Sequence, residues 1–217
     1  MRRRTILLAI GTVISTSLAG CIQNNGDTGI EDEPNQSSDE TPDDSTEPNG
    51  ASQNFPSITV EADESNVEYI RGSIEIIRQF SAEAPARLRV SLENDGDESR
   101  EFAFGSIQPF GGLSGTHVDR DEGLILYPED DSGFSYNGEV PEESTDGCWG
   151  FPDGELLVDD LATTAELQPT ETVSMEYDLF DDPDGEECLS EGEYRFDESD
   201  FGEQGHDWGF SAILEDE

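Results

Sequence analysis

The sequence predicts an all-β fold, a single β-sandwich domain that follows a signal peptide and an acidic linker. Several short stretches between residues 56 and 217 alternate apolar and polar side chains, which is the period of a half-buried strand. Segments rich in Gly, Pro, Asn and Asp separate these stretches, and none has a convincing helical period. Short strands divided by turn signals, in about 160 residues, are typical of a β-sandwich.

The first 20 residues have the three parts of a signal peptide. Three consecutive arginines at positions 2–4 form a positive start, residues 6–14 form an apolar core, and small residues precede Cys21. The apolar run is shorter than the roughly 20 residues that a membrane-spanning helix needs. We therefore interpret residues 1–20 as an export signal that is removed.

Two short motifs in this segment resemble known export signals. Arg3-Arg4-Thr5-Ile6-Leu7 resembles the twin-arginine signal, which directs folded proteins to export; the general secretion route is the alternative. Leu18-Ala19-Gly20-Cys21 resembles the lipobox of prokaryotic lipoproteins. That resemblance implies that Cys21 is lipidated, becomes the mature N-terminus and holds the protein in membrane lipid at the extracellular face of the cell membrane. A plain secretory peptide is the alternative.

Residues 21–55 predict a disordered acidic tether. The segment has almost no apolar residues and no basic ones, so it cannot bury enough surface to offset the entropy of ordering it. A flexible chain of this length spans roughly 30–35 Å, and its like charges extend it further. Asn35-Gln36-Ser37 matches the N-glycosylation sequon, which makes Asn35 a candidate glycosylation site.

The formal net charge of −43 comes from 53 acidic and 10 basic residues, and none of the basic residues is lysine. A compact fold with this charge repels itself in dilute buffer, whereas molar salt shortens the Debye length to about 3 Å and screens the repulsion. The composition is similar to that of secreted haloarchaeal proteins, which implies adaptation to high salt; a metal-buffering protein is the functional alternative. The same charge disfavours nucleic acid as a partner.

The predicted strands begin after Pro56. Strand patterns occur at residues 57–61, once or twice within 67–80, and at 86–93, 100–105, 123–127, 170–179, 192–196 and 208–214. Residues 86–105 are interpreted as a hairpin around the turn signal at residues 94–97. Its two strands direct five apolar side chains to one core, namely Leu88, Val90, Leu92, Phe102 and Phe104.

Residues 106–154 predict a long loop, apart from the short strand at 123–127. The loop is rich in Gly, Pro and acidic residues, yet its second half carries aromatic side chains. Because exposed aromatics on a disulfide-tied loop are often binding residues, we predict a contact surface made of loops 106–154 and 181–191. Its aromatic members are Phe134, Tyr136, Trp149 and Phe151. The alternative is that these aromatics cap one end of the sandwich.

With Cys21 used for lipid, Cys148 and Cys188 remain as an even pair in an exported protein, which predicts one disulfide. The loop that it closes has about 40 residues, which corresponds to about 4 kcal/mol in the chain-entropy model. Two free thiols or two metal ligands are the alternatives, although neither cysteine has the spacing of a zinc site.

The pattern from Leu167 to Phe196 resembles the last strands of immunoglobulin-like domains in prokaryotic cell-surface proteins. It reads Leu-x-Pro-x-Glu-Thr-Val-x-x-x-Tyr-x-Leu, an acidic loop, then Gly-Glu-Tyr-Arg-Phe. The resemblance implies an immunoglobulin-like sandwich in which Tyr194 occupies the tyrosine corner. Cys188 precedes Tyr194 instead of following it, so we expect the disulfide to pin the long loop to the connection between two strands.

No motif names a reaction. His117 and His206 are expected at the surface, and no G-x-S-x-G elbow is present. With a cysteine and Met175 they supply the residue types of a copper site, but not in the clustered order of cupredoxins. The acidic loops do not fit the register of a calcium loop. We therefore predict no catalysis, no cofactor and no metal.

Five of the seven arginines that follow the signal peptide lie between residues 71 and 100. A patch for an anionic partner is one interpretation; cross-strand ion pairing on the polar sheet face is the favoured one, because arginine binds carboxylates bidentately. Together, these features predict a lipid-anchored extracellular protein that binds an unknown cell-surface protein or glycan. The alternative is a secreted metal-binding or redox protein of the cupredoxin type.

Overall fold

The structure, a computed structural model, describes residues 54–130, 134–136, 138–151, 156–158, 161–182 and 187–216. These residues form twelve strands and no helix. The strands are β1 (Ser57–Ala62), β2 (Ile70–Arg78), β3 (Ala86–Asn94), β4 (Arg100–Phe104), β5 (Ser114–His117), β6 (Gly123–Pro128), β7 (Phe134–Tyr136), β8 (Leu156–Val158), β9 (Thr163–Leu167), β10 (Thr172–Asp181), β11 (Gly192–Glu198) and β12 (Trp208–Glu215). The described part of the chain contains no helix long and apolar enough to cross a membrane. Cys21, Asn35 and the tether up to residue 53 lie outside the described residues.

Eight strands form one antiparallel sheet in the order β1-β12-β11-β5-β6-β10-β3-β2. Within it, β2-β3-β10-β6 follow the A-B-E-D order of an immunoglobulin sheet, and β5-β11-β12 follow the C-F-G order of the opposing sheet. The chain visits these seven strands in the alphabetical order of that fold, and the β5–β6 pair joins the two layers. The prediction of an all-β, immunoglobulin-like sandwich is confirmed.

A glutamine side chain joins the two ends of this strand order. Gln79, which follows β2, accepts a hydrogen bond from the backbone N–H of Ile58 at 2.8 Å. Its amide nitrogen donates to the carbonyl of the same residue at 3.0 Å. Ile58 belongs to β1, so one side chain reproduces the pair of hydrogen bonds that a neighbouring strand would make. The domain is therefore closed, in a barrel-like manner, between β1 and β2.

The core contains the side chains that strand alternation directs inward. Along β3, buried and half-buried residues alternate strictly, as expected for a strand with one face in the core. The strands predicted at residues 86–93, 170–179, 192–196 and 208–214 are present, and the five apolar residues assigned to residues 86–105 are all buried. At the start of β11, the Tyr194 hydroxyl donates to the carbonyl of Ser190 at 2.9 Å. This is the tyrosine-corner contact that the resemblance implies.

The hairpin predicted for residues 86–105 is wrong. β3 pairs with β2 and β10, whereas β4 pairs with β9 in a separate two-stranded sheet. The reason is Asn94, which is fully buried and whose amide donates to the carbonyls of Glu98 and Leu167 at 2.9 Å. These bonds hold the turn against the β9–β10 connection, so the chain crosses to another layer.

The long loop predicted for residues 106–154 is also wrong in extent, because it contains β5 and β7 in addition to β6, the short strand predicted at residues 123–127. β5 was not predicted because Gly111, Gly112 and Gly115, in and just before it, are typical of a loop. A Cβ atom on Gly115 would lie 2.3 Å from the ring of Phe196, so the glycine is needed for β5 to pack closely against β11. The irregular part of this region that the structure describes is confined mainly to residues 105–113 and 138–151.

Candidate functional site

The predicted disulfide between Cys148 and Cys188 is present, with a Cα–Cα distance of 5.8 Å. It joins residues 40 positions apart in the sequence, which corresponds to a stabilisation of about 4 kcal/mol. The two cysteines are bonded to each other, so the alternatives of free thiols and metal ligands do not apply to this state. The copper site considered in the sequence analysis needs a cysteine thiolate, and among the described residues both cysteines are in the disulfide.

Backbone hydrogen bonds hold the same segment beside the end of β10. The N–H of Asp181 donates to the carbonyl of Trp149 at 2.9 Å, and the N–H of Phe151 donates to the carbonyl of Asp181 at 2.8 Å. Gly150 thus forms a parallel bridge to Asp181. The expectation that the disulfide pins the long loop to a strand connection is confirmed.

The aromatic residues predicted to form a contact surface are placed differently. Trp149 is 1% exposed and Phe151 is 6% exposed, so both belong to the core, and their prediction as exposed contact residues is wrong. The indole of Trp149 donates to the carbonyl of Ser81 at 2.7 Å. Tyr136 is half-buried, with its ring 4.6 Å from that of Phe151. Phe134 belongs to β7, and its side chain lies outside the described part. The alternative, aromatics that cover one end of the sandwich, describes this arrangement.

The carboxyl group of Asp181 lies beside the disulfide. A carboxylate oxygen of Asp181 and the two sulfur atoms lie within 4.8 Å of one another. The side chain is 8% exposed, and its Oδ1 accepts a hydrogen bond from the N–H of Leu189 at 2.8 Å. Burial, together with the nearby carboxylates of Asp182 and Glu122, raises the pKa of Asp181 to about 6. The site therefore contains a carboxyl group that is protonated in mildly acidic solution.

Replacing Asp181 with asparagine should change the way in which the free energy of unfolding depends on pH. The pKa of Asp181 is raised in the folded state, so this group stabilises the fold most below about pH 4 and loses that stabilisation as the pH rises through about 6. Asparagine still accepts the bond from Leu189 but does not ionise. We expect the unfolding free energy of Asp181→Asn, relative to wild type, to rise by about 2 kcal/mol between about pH 4 and pH 7. Urea titrations in molar KCl at several pH values measure this difference, and parallel curves for the two proteins would contradict it.

A cleft leads to the exposed side of the disulfide. It has a volume of about 420 Å³ and is lined by Arg120, Glu187, Cys188, Leu189, Ser190, Glu191 and Asp216. Arg120 is fixed there, because its guanidinium donates to the carbonyl of Glu191 at 2.7 Å and lies 3.2 Å from a carboxylate oxygen of Glu122. The predicted contact loop at 181–191 therefore contains the exposed cysteine of the disulfide, Cys188, and part of the lining of this cleft.

Both histidines are buried, so their prediction as surface residues is wrong. The ring of His117 packs edge-on against Tyr194, with centroids 4.9 Å apart, and its Nδ1 accepts from the N–H of Asp119 at 3.0 Å. Gly192 makes room for it, since a Cβ there would lie 2.1 Å from the ring. Burial lowers the pKa of His206, whose ring lies 3.4 Å from the Ser65 hydroxyl. Each histidine has the packing of a structural residue.

The favoured interpretation of the arginine group is confirmed. Arg87 binds Asp178 bidentately, at 2.8 and 2.7 Å, and so links β3 to β10. Arg71, Arg78 and Arg89 likewise bind carboxylates on neighbouring strands or turns. Arg100 instead lies 4.0 Å above the ring of Tyr69. The group serves mainly as an ion-pair network on the polar face of the sheet.

An exposed apolar stretch was not anticipated from the sequence. Leu157, Val158 and Leu161 are 56%, 47% and 64% exposed. Successive strand residues point to opposite faces, so the β7–β8 pair is exposed on both faces at this position. The signal that identifies it is an apolar run at residues 156–158, followed by Leu161, within a strongly acidic segment. The other large apolar side chains exposed among the described residues, Ile77 and Val118, occur singly.

Comparisons of the chain with models of protein families, with curated proteins and with solved structures found no match. The immunoglobulin-like assignment consequently depends on strand order and on the Tyr194 contact. Function has to be derived from the surface features described above.

Proposed function

We propose that the protein is a salt-adapted, lipid-anchored lipoprotein that acts as an interaction module at the extracellular face of the cell membrane. It binds a partner protein without catalysing a reaction on it. The observation that carries this proposal is the exposed apolar stretch of Leu157, Val158 and Leu161 on a domain whose surface is otherwise strongly acidic.

The apolar stretch fits a protein partner better than a glycan. Grouped exposed apolar side chains mark interaction surfaces, whereas single ones are ordinary. In molar salt the Debye length is about 3 Å, so the acidic surface of the module repels a partner only at very short range. Contact between apolar surfaces remains effective under these conditions and supplies the attraction. The charge of −43 disfavours nucleic acid.

The N-terminal motifs support the proposed location. The lipobox-like residues 18–21 supply a thiol for lipid attachment, and residues 21–55 supply an acidic tether. The Cys148–Cys188 disulfide supports export, since disulfides persist mainly in oxidising compartments outside the cytosol. These features support display of the apolar stretch where another surface protein can reach it.

Replacing Leu157 with asparagine should weaken partner capture by about 10- to 100-fold. Burial of one leucine side chain contributes about 1.5–3 kcal/mol, and 1.4 kcal/mol corresponds to a tenfold change in affinity. Capture is measured by pull-down from solubilised membranes at the native salt concentration, with the retained protein identified by mass spectrometry. That protein is then titrated against each variant.

The matched control is Val118→Asn, because Val118 is 58% exposed but follows a different strand, β5. It should capture the partner as wild type does. Equal capture by Leu157→Asn and wild type would reject the apolar stretch as the contact surface. Loss of capture in both variants would indicate a general effect on the domain and would also count against the proposal.

A further inference from the structure

The surroundings of the disulfide differ from those of a purely structural crosslink. A carboxylate oxygen of Asp181 lies within 4.8 Å of both sulfur atoms, and the side chain that carries it is buried. The distance is one that a single water molecule bridges, which is sufficient for proton transfer. Asparagine would accept the Leu189 bond equally well. A structural role therefore does not account for an ionisable group in this position, where burial makes its charged form costly.

The two cysteine residues differ in exposure. Cys188 is exposed and lines the 420 Å³ cleft, whereas Cys148 is half-buried. A thiolate entering through the cleft consequently meets Cys188 first. The cleft is lined by one arginine, Arg120, and by the acidic residues Glu187, Glu191 and Asp216, so a thiolate approaches most easily in molar salt, where their repulsion acts over only about 3 Å. Cys148 is then the leaving group, and it departs on the side of the molecule where Asp181 is buried.

We propose that Cys148–Cys188 is a redox-active disulfide that exchanges with a dithiol reductant, and that Asp181 is the proton donor to the departing Cys148 sulfur. This activity is additional to the proposed binding function and does not depend on it.

The exchange balances in two steps. A thiolate of the reductant attacks Cys188, a sulfur–sulfur bond forms between them, and the Cys148–Cys188 bond breaks with its electron pair left on Cys148. Asp181 transfers its proton to that sulfur and becomes a carboxylate. The second thiol of the reductant, once deprotonated, attacks the mixed disulfide and releases Cys188 as a thiolate, which takes a proton from solvent. The protein disulfide is reduced by two electrons, and the reductant becomes a disulfide.

The electrostatic environment keeps the donor protonated in mildly acidic solution. Burial raises the pKa of Asp181 to about 6, and the carboxylates of Asp182 and Glu122 act in the same direction. Arg120 lies 3.2 Å from Glu122 and so partly neutralises it, and the Ser190 hydroxyl also binds Glu122. The proton is therefore available below about pH 6 and is progressively lost above it.

The test is the rate at which dithiothreitol reduces the full-length, oxidised protein in molar KCl. The rate is followed by the change in tryptophan fluorescence; of the two tryptophans, Trp149 is adjacent to Cys148 in the sequence. Each rate is divided by the concentration of dithiothreitol thiolate at that pH, so that only the contribution of the protein remains. For wild type we expect this corrected rate to fall by at least about tenfold between about pH 5 and pH 8. For Asp181→Asn we expect it to stay low and flat.

Glu83→Gln is the control, since Glu83 is exposed and neither lines the cleft nor contributes to the raised pKa of Asp181; its profile should follow that of wild type. If Asp181→Asn does not fold, the wild-type profile is the test. In molar KCl the ionisation of other carboxylates acts on the approaching thiolate over only about 3 Å, so a crosslink without a proton donor has a corrected rate that is nearly independent of pH. A flat wild-type profile would overturn the proposal. So would an Asp181→Asn profile that falls with pH as the wild-type profile does.

Discussion

Replacing Trp149 with alanine is expected to lower the free energy of unfolding by about 3–5 kcal/mol. The side chain is 1% exposed and contacts Phe180 edge-on, with ring centroids 6.5 Å apart. Its removal leaves a large cavity beside β10 and deprives the carbonyl of Ser81 of its donor. Urea unfolding in molar KCl, followed by circular dichroism, measures the change.

Two further variants divide this effect into its parts. Trp149→Phe retains most of the buried ring but not the bond to Ser81, so its cost should be about 1–2 kcal/mol. Val118→Ala, at an exposed position, should stay within about 0.5 kcal/mol of wild type. A Trp149→Ala protein as stable as wild type would mean that the aromatic cover of this end of the sandwich is not part of the cooperative fold.

Replacing Cys21 with serine is expected to move the protein from the membrane fraction to the soluble fraction. The proposed lipid contributes about 0.8 kcal/mol for each methylene group that enters the bilayer. Among the described residues no helix could take over the role of the lipid. Removal of residues 1–20 with their three arginines takes the formal charge from −43 to about −46, which gives the chain no net attraction to anionic lipid. Flotation of cell membranes at the native salt concentration, followed by immunodetection, measures the distribution.

The control for this experiment is Asn35→Gln, which alters the acidic tether but leaves the lipobox-like motif intact. That variant should remain with the membranes. A Cys21→Ser protein that still floats with the membranes would reject lipid anchoring, and with it the proposed manner of display. The fold and the disulfide site do not depend on this result.

Strand positions and their inward faces were predictable because each strand has one buried side. In β3, the alternation of Leu88, Val90 and Leu92 with polar residues matches the burial observed. The same period also identifies Asp181 as an inward-facing residue, although the composition of residues 181–191 is typical of an acidic loop. It continues the inward series of Tyr177 and Leu179 along β10, and that register is the signal that identifies it.

Pairing between distant segments was not predictable, because the contacts that decide it are not local. Asn94 occurs in a sequence typical of a hairpin turn, yet its buried amide binds Leu167, 73 residues away. Trp149 lies in a segment with the composition of a loop, and its burial depends on Ser81 and on β10. The exposed apolar stretch was overlooked because a short apolar run does not by itself distinguish a buried strand from an exposed one.

The two hydrogen bonds between Gln79 and Ile58 affect the tendency of the domain to aggregate at high salt concentration. A sheet with open edges presents unpaired backbone groups on which other chains can add strands, and this leads to edge-to-edge aggregation. Charge repulsion normally opposes such aggregation, but at molar salt it acts over only about 3 Å. Because β1 meets Gln79 instead of solvent at Ile58, the domain is protected there by its own hydrogen bonding. That protection persists when its charge is screened by salt.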